Sequence, residues 1–180
     1  MSGPHALVIG GTGMLRGVVL ALAREGPVSV VARTRHDIEV LARDAETVSP
    51  VSVDYRRTGD LEAALAEAVA LRGPFTTAVA WIHSDAAEAA LVAARSVRGP
   101  FFHVLSSAEA DPARPEPGRR RRFASIPGIT YHEVILGFVR EGGRSRWLLN
   151  SEIARGVLDA VAAAAPRTVV GTVEPWSERP

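Results

Sequence analysis

The residues best suited to chemistry lie in the turn Gly10-Gly11-Thr12-Gly13-Met14-Leu15-Arg16-Gly17, entered directly from the apolar run Ala6-Leu7-Val8-Ile9. Gly10 and Gly13 permit a tight reversal and let backbone N–H groups come close to an anion. The helix expected to follow would aim its unpaired donors and positive dipole end at the same spot. Gly11, Thr12 and Met14 belong to the same cradle. A strand, this turn and a helix in that order predict a site for a nucleotide pyrophosphate. The third glycine of either common Gly-x-Gly-x-x-Gly register would fall at residue 16, where this chain has Arg16; Gly17 comes one place later. Close packing of helix on strand is therefore expected one residue further on. Arg16 either reaches a phosphate or extends to solvent.

The next strand ends Val31-Ala32-Arg33-Thr34-Arg35, with no acidic side chain at the switch. An acid there would accept hydrogen bonds from the ribose 2′-hydroxyl of NAD, whereas arginine neutralises the extra phosphate of NADP. Arg33, Arg35 and the Thr34 hydroxyl make a 2′-phosphate site, so NADP is favoured over NAD; the competing reading is that these arginines are simply solvated. Asp54, ending the third strand, either accepts from the adenine amino group or caps the turn at Tyr55-Arg56-Arg57.

Composition narrows the chemistry further. The 180 residues are 47% hydrophobic and 23% charged, which suits one globular domain spanning residues 1–180. Cysteine is absent, removing disulfides, thiolate metal sites and cysteine nucleophiles. All 21 basic residues are arginine, so no lysine can form a Schiff base or lower the pKa of a tyrosine. The five histidines are scattered without ligand spacing, and no metal site is expected. A net charge of +1 argues against nucleic acid and anionic membrane as partners. The opening apolar run is too short to span a bilayer and lacks a signal peptide's flanks, so a cytoplasmic protein is expected.

Alternating strand and helix signals must position these residues. Strands are expected at residues 6–9, 28–32, 51–54, 76–82, 101–105, 129–138 and 168–173. Helices are expected at 14–25, 35–45, 60–71 and 151–164, with another opened by a capping box of Asp85 and Glu88. Gly26-Pro27, Gly73-Pro74 and Gly99-Pro100 each stop a helix just before a strand, as a series of βα units requires. The expected fold is α/β, a doubly wound, mostly parallel Rossmann-like sheet of about seven strands. Residues 108–127 read as an irregular surface loop, with or without a short helical turn, and Arg119 to Arg122 as solvated and mobile. Arg144, Arg146 and Trp147 fall in a polar loop that either closes over an acidic or aromatic ligand or packs Trp147 on the core.

With the turn, Arg33 and Asp54 in register, the chain resembles the short-chain dehydrogenase/reductase superfamily in its extended or atypical branch. The likeness covers residues 5–107 and, more loosely, the remainder. It implies a Rossmann fold with NADP across the carboxyl ends of the strands. It also places Trp81, in Ala80-Trp81-Ile82-His83, beside the cofactor ribose, and Ser106 or Ser107 where the family carries its catalytic serine. The family's catalytic tyrosine is followed four residues later by lysine. Here Tyr55 and Tyr131 are followed at that distance by Gly59 and Ile135. Standard reductase chemistry is therefore not expected.

His83 is then the best acid or base, ending the fourth strand at the rim where a nicotinamide would lie. Ser106 either orients a substrate carbonyl or bonds to local backbone. His103 and His132, within strands, need only a buried partner. Gly137-Phe138 offers a backbone approach on the nicotinamide side, and Glu152 reads as a helix cap. Two functions compete: an NADP-dependent oxidoreductase acting on a small carbonyl-type substrate without the tyrosine and lysine pair, and a non-catalytic NADP(H)-binding sensor, regulator or scaffold with no substrate. Alanine-rich helix faces suit a homo-oligomer and equally suit packing on the sheet.

Overall fold

A computed structural model describes residues 4–114 and 116–180. Its elements alternate along the chain: β1 (Ala6–Ile9), α1 (Arg16–Leu22), β2 (Val28–Ala32), α2 (Arg35–Asp44), β3 (Val48–Ser52), α3 (Thr58–Arg72), β4 (Thr77–Trp81), α4 (Ala87–Arg95), β5 (Gly99–Leu105), α5 (Gly118–Ala124), β6 (Ile129–Leu136), β7 (Phe138–Glu141), β8 (Arg144–Trp147), α6 (Asn150–Ala163) and β9 (Arg167–Val170). Seven strands form one sheet in the order β3-β2-β1-β4-β5-β6-β9, every neighbouring pair parallel. The chain starts in the centre, winds outward to β3, then crosses β1 to continue from β4. That reversal opens a crevice at the carboxyl ends of β1 and β4.

Both sheet faces are covered, so the central strands are apolar throughout; β1 is buried at all four positions. On one face Val18, Val19 and Leu22 of α1, Ile38 and Leu41 of α2, and Ile153 and Val157 of α6 pack on Val8, Val30 and Val104. On the other, Leu61 and Leu65 of α3, the alanines of α4 and Phe123 of α5 cover Leu7, Ile9, Ala80 and Phe101. Each large side chain fully buried this way contributes roughly 1.5–3 kcal/mol. At the opposite end of the sheet from the crevice, His5 ties three segments together. Its Nδ1 lies 2.9 Å from the Gly73 carbonyl and its Nε2 2.9 Å from the Ser29 hydroxyl. A carbonyl can only accept, so Nδ1 carries the proton and Nε2 accepts from Ser29. Burial lowers the pKa of this neutral ring.

Several expected boundaries shift for identifiable reasons. The third strand begins at Val48 rather than 51 because Pro50 sits inside it, paired with Val30. As the sheet edge, β3 tolerates a residue without an N–H. Residues 108–127 are not a loop throughout: the short helical turn left open there is α5, Gly118–Ala124, anchored by buried Phe123. Nor is the arginine run simply solvated, since Arg119 pairs with Glu109, Arg120 with Glu133 and Arg122 with Glu116. The polar loop of Arg144, Arg146 and Trp147 is the second strand of an antiparallel hairpin with β7, turned by Gly142 and Gly143 at φ 57° and 78°. The capping box of Asp85 and Glu88 does not form. Ala86 precedes α4 without a side-chain cap, and Asp85 instead pairs with Arg56 at 3.2 Å.

The close helix-strand approach falls earlier than the motif suggests. A Cβ on Gly11 would lie 2.8 Å from Val19 and 2.9 Å from Val30, so Gly11 lets α1 settle on the sheet. Gly17 instead faces α6, with Ala154 2.8 Å from where its Cβ would stand.

Candidate functional site

The carboxyl ends of β1, β2 and β4 frame a groove of about 490 Å³ lined by Gly10, Thr12, Arg33, Thr34, Tyr55, Trp81 and His83, among others. Its floor depends on Gly10. The backbone there has φ +80°, and a Cβ would lie 3.0 Å from the Trp81 carbonyl oxygen. Gly13 is exposed with open space beside it, so its missing side chain leaves room rather than packing contact. Residues 11–15 form a turn before α1 begins, and the amides of Gly11, Thr12, Gly13 and Met14 donate to no partner among the described residues. A run of unpaired amides with open space at Gly13 is an anion-binding arrangement independent of any helix dipole.

The expected cofactor residues divide. Gly10, Thr12, Arg33, Thr34 and Trp81 line the groove. Gly11 is buried beneath it, and Met14 packs against the core. Arg35 points along α2 to Glu39, 3.0 Å away, whereas Arg33 makes no ion pair among the described residues. Arg16 reaches no groove residue and pairs with Asp44 of α2. Asp54 performs the turn-capping role: its Oδ1 accepts from the Arg56 N–H at 3.0 Å. Three groove residues were not anticipated, namely Asp37, Tyr55 and Arg56. Arg56 lies over the Tyr55 ring at 5.4 Å and bonds to Asp85, which raises its pKa. The sequence signal for Asp37 was its place in the first turn of the helix after Arg33.

A second cavity, about 210 Å³, adjoins the groove at Trp81 and His83 and extends under the carboxyl ends of β4 and β5. The two rings meet edge to face with centroids 5.8 Å apart. Both expected catalytic residues, His83 and Ser106, face this cavity, together with His103, Glu109 and Arg119. His83 is exposed, and its ring enters no hydrogen bond among the described residues. Ser106 ends β5, and its carbonyl accepts from the Glu109 N–H at 3.1 Å. Ser107 is turned away into the fold, where its Oγ accepts from Arg179 Nε at 2.8 Å.

His103 is 6% exposed, and its Nδ1 lies 3.1 Å from the Tyr131 hydroxyl. Burial, aided by the Arg119 charge, drives its pKa down to about 3. Tyr131 of β6 is thus joined to the cavity through His103. Burial and the Glu133 charge raise its pKa, keeping the phenol protonated. His132 has the plain structural role expected of it, with Nδ1 2.9 Å from the Ala165 carbonyl.

Other expected contacts serve the scaffold instead. A Cβ on Gly137 would come 2.1 Å from the Thr172 carbonyl oxygen, so the close approach there is to the chain's own C-terminal segment. Arg146 holds both carboxylate oxygens of Glu152 at 2.9 and 3.0 Å, drawing the Glu152 pKa down to about 2. Glu152 also accepts from the Leu149 N–H at 2.8 Å, fulfilling its capping role. Arg179 lies over the Trp147 ring at 5.1 Å, and that ring remains 46% exposed. The hairpin therefore makes its own contacts rather than closing over the groove. Among the described residues no group of three or more His, Asp or Glu is gathered as for a metal ion, and no helix is long and apolar enough to cross a membrane.

No protein-family model and no curated protein sequence matches the chain. In three dimensions it is similar to a variant of actinorhodin polyketide ketoreductase in a crystal structure with NADPH, at TM-score 0.70 and 16% identity over 95% of this chain and 97% of that one. It is also similar to a 3-oxoacyl-[acyl-carrier protein] reductase from Brucella melitensis, at TM-score 0.69 and 16% identity over 98% of each chain. At such identity the likeness speaks to architecture. The chain has the doubly wound Rossmann-like fold of these two reductases.

Proposed function

We propose that this chain binds NADP(H) in the groove and is an atypical reductase of the short-chain dehydrogenase type, acting on a small carbonyl compound in the adjoining cavity. The carrying observation is that groove and cavity share one wall, Trp81 and His83, so a cofactor in the first meets a substrate in the second. The groove fits the cofactor: it joins unpaired amides at Gly11 to Met14, the backbone turn at Gly10 and an ion-pair-free Arg33. Similarity to a ketoreductase holding NADPH supports the same reading.

In this reading the amides of the turn take the pyrophosphate and Arg33, with Thr34, takes the ribose 2′-phosphate. Asp37 on the same rim would repel that phosphate and accept from a bare hydroxyl, so the pairing of Arg33 against Asp37 decides the cofactor. When bound, NADPH supplies a hydride to the carbonyl carbon. His83 gives the proton to the carbonyl oxygen and recovers it from water, to which it is open; Ser106 orients that oxygen. With no lysine in the chain and a seven-residue α5 after β5, the acid cannot be a lysine-activated tyrosine.

That same departure favours a second reading, in which the groove senses NADP(H) without turnover. Isothermal titration with NADPH, followed by a carbonyl screen at 340 nm on the wild type and His83→Ala, separates the two. The reductase reading expects kcat to fall about 10²-fold in the variant with NADPH affinity kept. Binding without turnover of any carbonyl leaves the sensor; equal rates in both proteins remove His83 from the chemistry.

A further inference from the structure

The cavity beside the groove handles charge in a way that identifies its occupant. Its charged lining is internally matched: Arg119 pairs with Glu109 and Arg122 pairs with Glu116 at 3.3 Å. The Arg119 and Glu109 side chains are only 13% and 18% exposed, so that pair neutralises itself inside the wall. Among the described residues that line it, no unpaired arginine is left to recruit a carboxylate or phosphate.

The remaining deep polar group is His103. Its Nδ1 is engaged by Tyr131, while its Nε2 has no protein partner among the described residues. His103 lines the cavity, and with Nδ1 held by Tyr131 the Nε2 edge is the one left to meet a guest. The proton position follows from the Tyr131 hydroxyl, whose one partner among the described residues is His103. Were Nδ1 protonated, the buried phenolic proton would have nothing to bond. Leaving a buried donor unsatisfied costs more than leaving spare acceptor capacity on an oxygen. Tyr131 therefore donates to Nδ1, and the neutral imidazole must carry its own proton on Nε2.

We infer that His103 presents a fixed Nε2–H donor, oriented by Tyr131, to the carbonyl oxygen of a small uncharged ketone or aldehyde held in the cavity under β4 and β5. This rests on the reading that the cavity is the substrate side of the groove. The donor complements an acceptor oxygen, the matched ion pairs exclude a net charge, and about 210 Å³ limits the ligand to a compact molecule. His103 supplies no proton to the reaction. It binds, and the transferable proton stays with the exposed His83.

Long-range proton–nitrogen NMR on the full chain labelled at its five histidines tests this without turnover. Disappearance of one signal set in His103→Gln identifies the ring; if that variant does not fold, perturbation in Tyr131→Phe identifies it instead. Between pH 5 and 8 the His103 ring should remain the neutral Nε2–H tautomer. Cyclohexanone should shift that nitrogen saturably and acetate should not. Tyr131→Phe should mix the tautomers and weaken cyclohexanone at least tenfold, a readout that a purely structural tyrosine would not move. An Nδ1–H tautomer, no saturable shift with cyclohexanone, or an equal shift with acetate overturns the inference. NADPH is titrated separately: its failure to bind while cyclohexanone still shifts His103 would sink the cofactor reading alone, and the converse would sink this inference alone.

Discussion

The groove over β1 and β2 and the cavity under β4 and β5 share Trp81 and His83, yet they treat charge and backbone differently. At the groove, the guanidinium of Arg33 and the amides of Thr12 and its turn neighbours Gly11, Gly13 and Met14 have no protein partner among the described residues. In the cavity, arginine meets glutamate twice, and the buried His103 is held neutral. Unsatisfied donors beside open space are kept where an external anion completes them. Matched pairs are kept where the guest brings no charge. On the proposed reading, one rim offers a polyanion site and a site for an uncharged ligand side by side.

Breaking the groove at its backbone should have the largest effect. Gly10→Val forces a β-branched residue to φ +80° and drives its Cβ toward the Trp81 carbonyl. A stability loss of about 3 kcal/mol in urea unfolding is expected, with NADPH binding abolished. A variant as stable as the wild type that still binds would mean the turn is not the cradle.

Acid should strike the cavity side next. The His103 pKa is about 3 in the folded protein against an ordinary 6.5, so its contribution is complete above pH 6.5 and lost as pH falls toward 3. The slope is about 1.4 kcal/mol per pH unit, or on the order of 3 kcal/mol by pH 4.5, and His5 adds in the same direction. Denaturant midpoints measured from pH 7 to 4.5 check this; a flat profile would mean that His103 is not held neutral by burial.

Gly11→Ala is a gentler probe of the groove floor. Its Cβ would press on Val19 and Val30 at under 3 Å, costing about 1–3 kcal/mol in stability. Weakened NADPH binding should accompany it only so far as the turn is displaced. The smallest effect is expected from Glu152→Gln, which loosens the Arg146 clamp outside both sites. NADPH affinity measured by titration should be unchanged, and a tenfold loss would place the hairpin in the groove after all.

Much of the groove was legible in the sequence because its determinants are local. The turn lies within eight residues, β1 and β2 have the anticipated bounds, and Arg33 and Thr34 follow directly from the end of a strand. The cavity was legible only at its rim, at His83 and Ser106. Its floor joins His103 of β5 to Tyr131 of β6, a pairing set by parallel register between strands and invisible to spacing along the chain. Its wall uses α5, whose arginines carry no apolar period and whose buried residue is the single Phe123. The hairpin did leave a sign, Gly142-Gly143 between short alternating segments, which is the dipeptide a two-residue turn prefers. Pro50 obscured the start of β3 because an edge strand accepts what a central strand would not.

Whether a 2′-phosphorylated dinucleotide completes the groove is decided by calorimetric titration of NADPH and NADH into the wild type and Arg33→Glu. The wild type should prefer NADPH, and the variant should lose roughly tenfold to a hundredfold of that affinity, the worth of a charge-assisted contact, while NADH binding changes little. Equal affinity for both cofactors in the wild type, or a variant that still prefers NADPH, would contradict the NADP(H) reading.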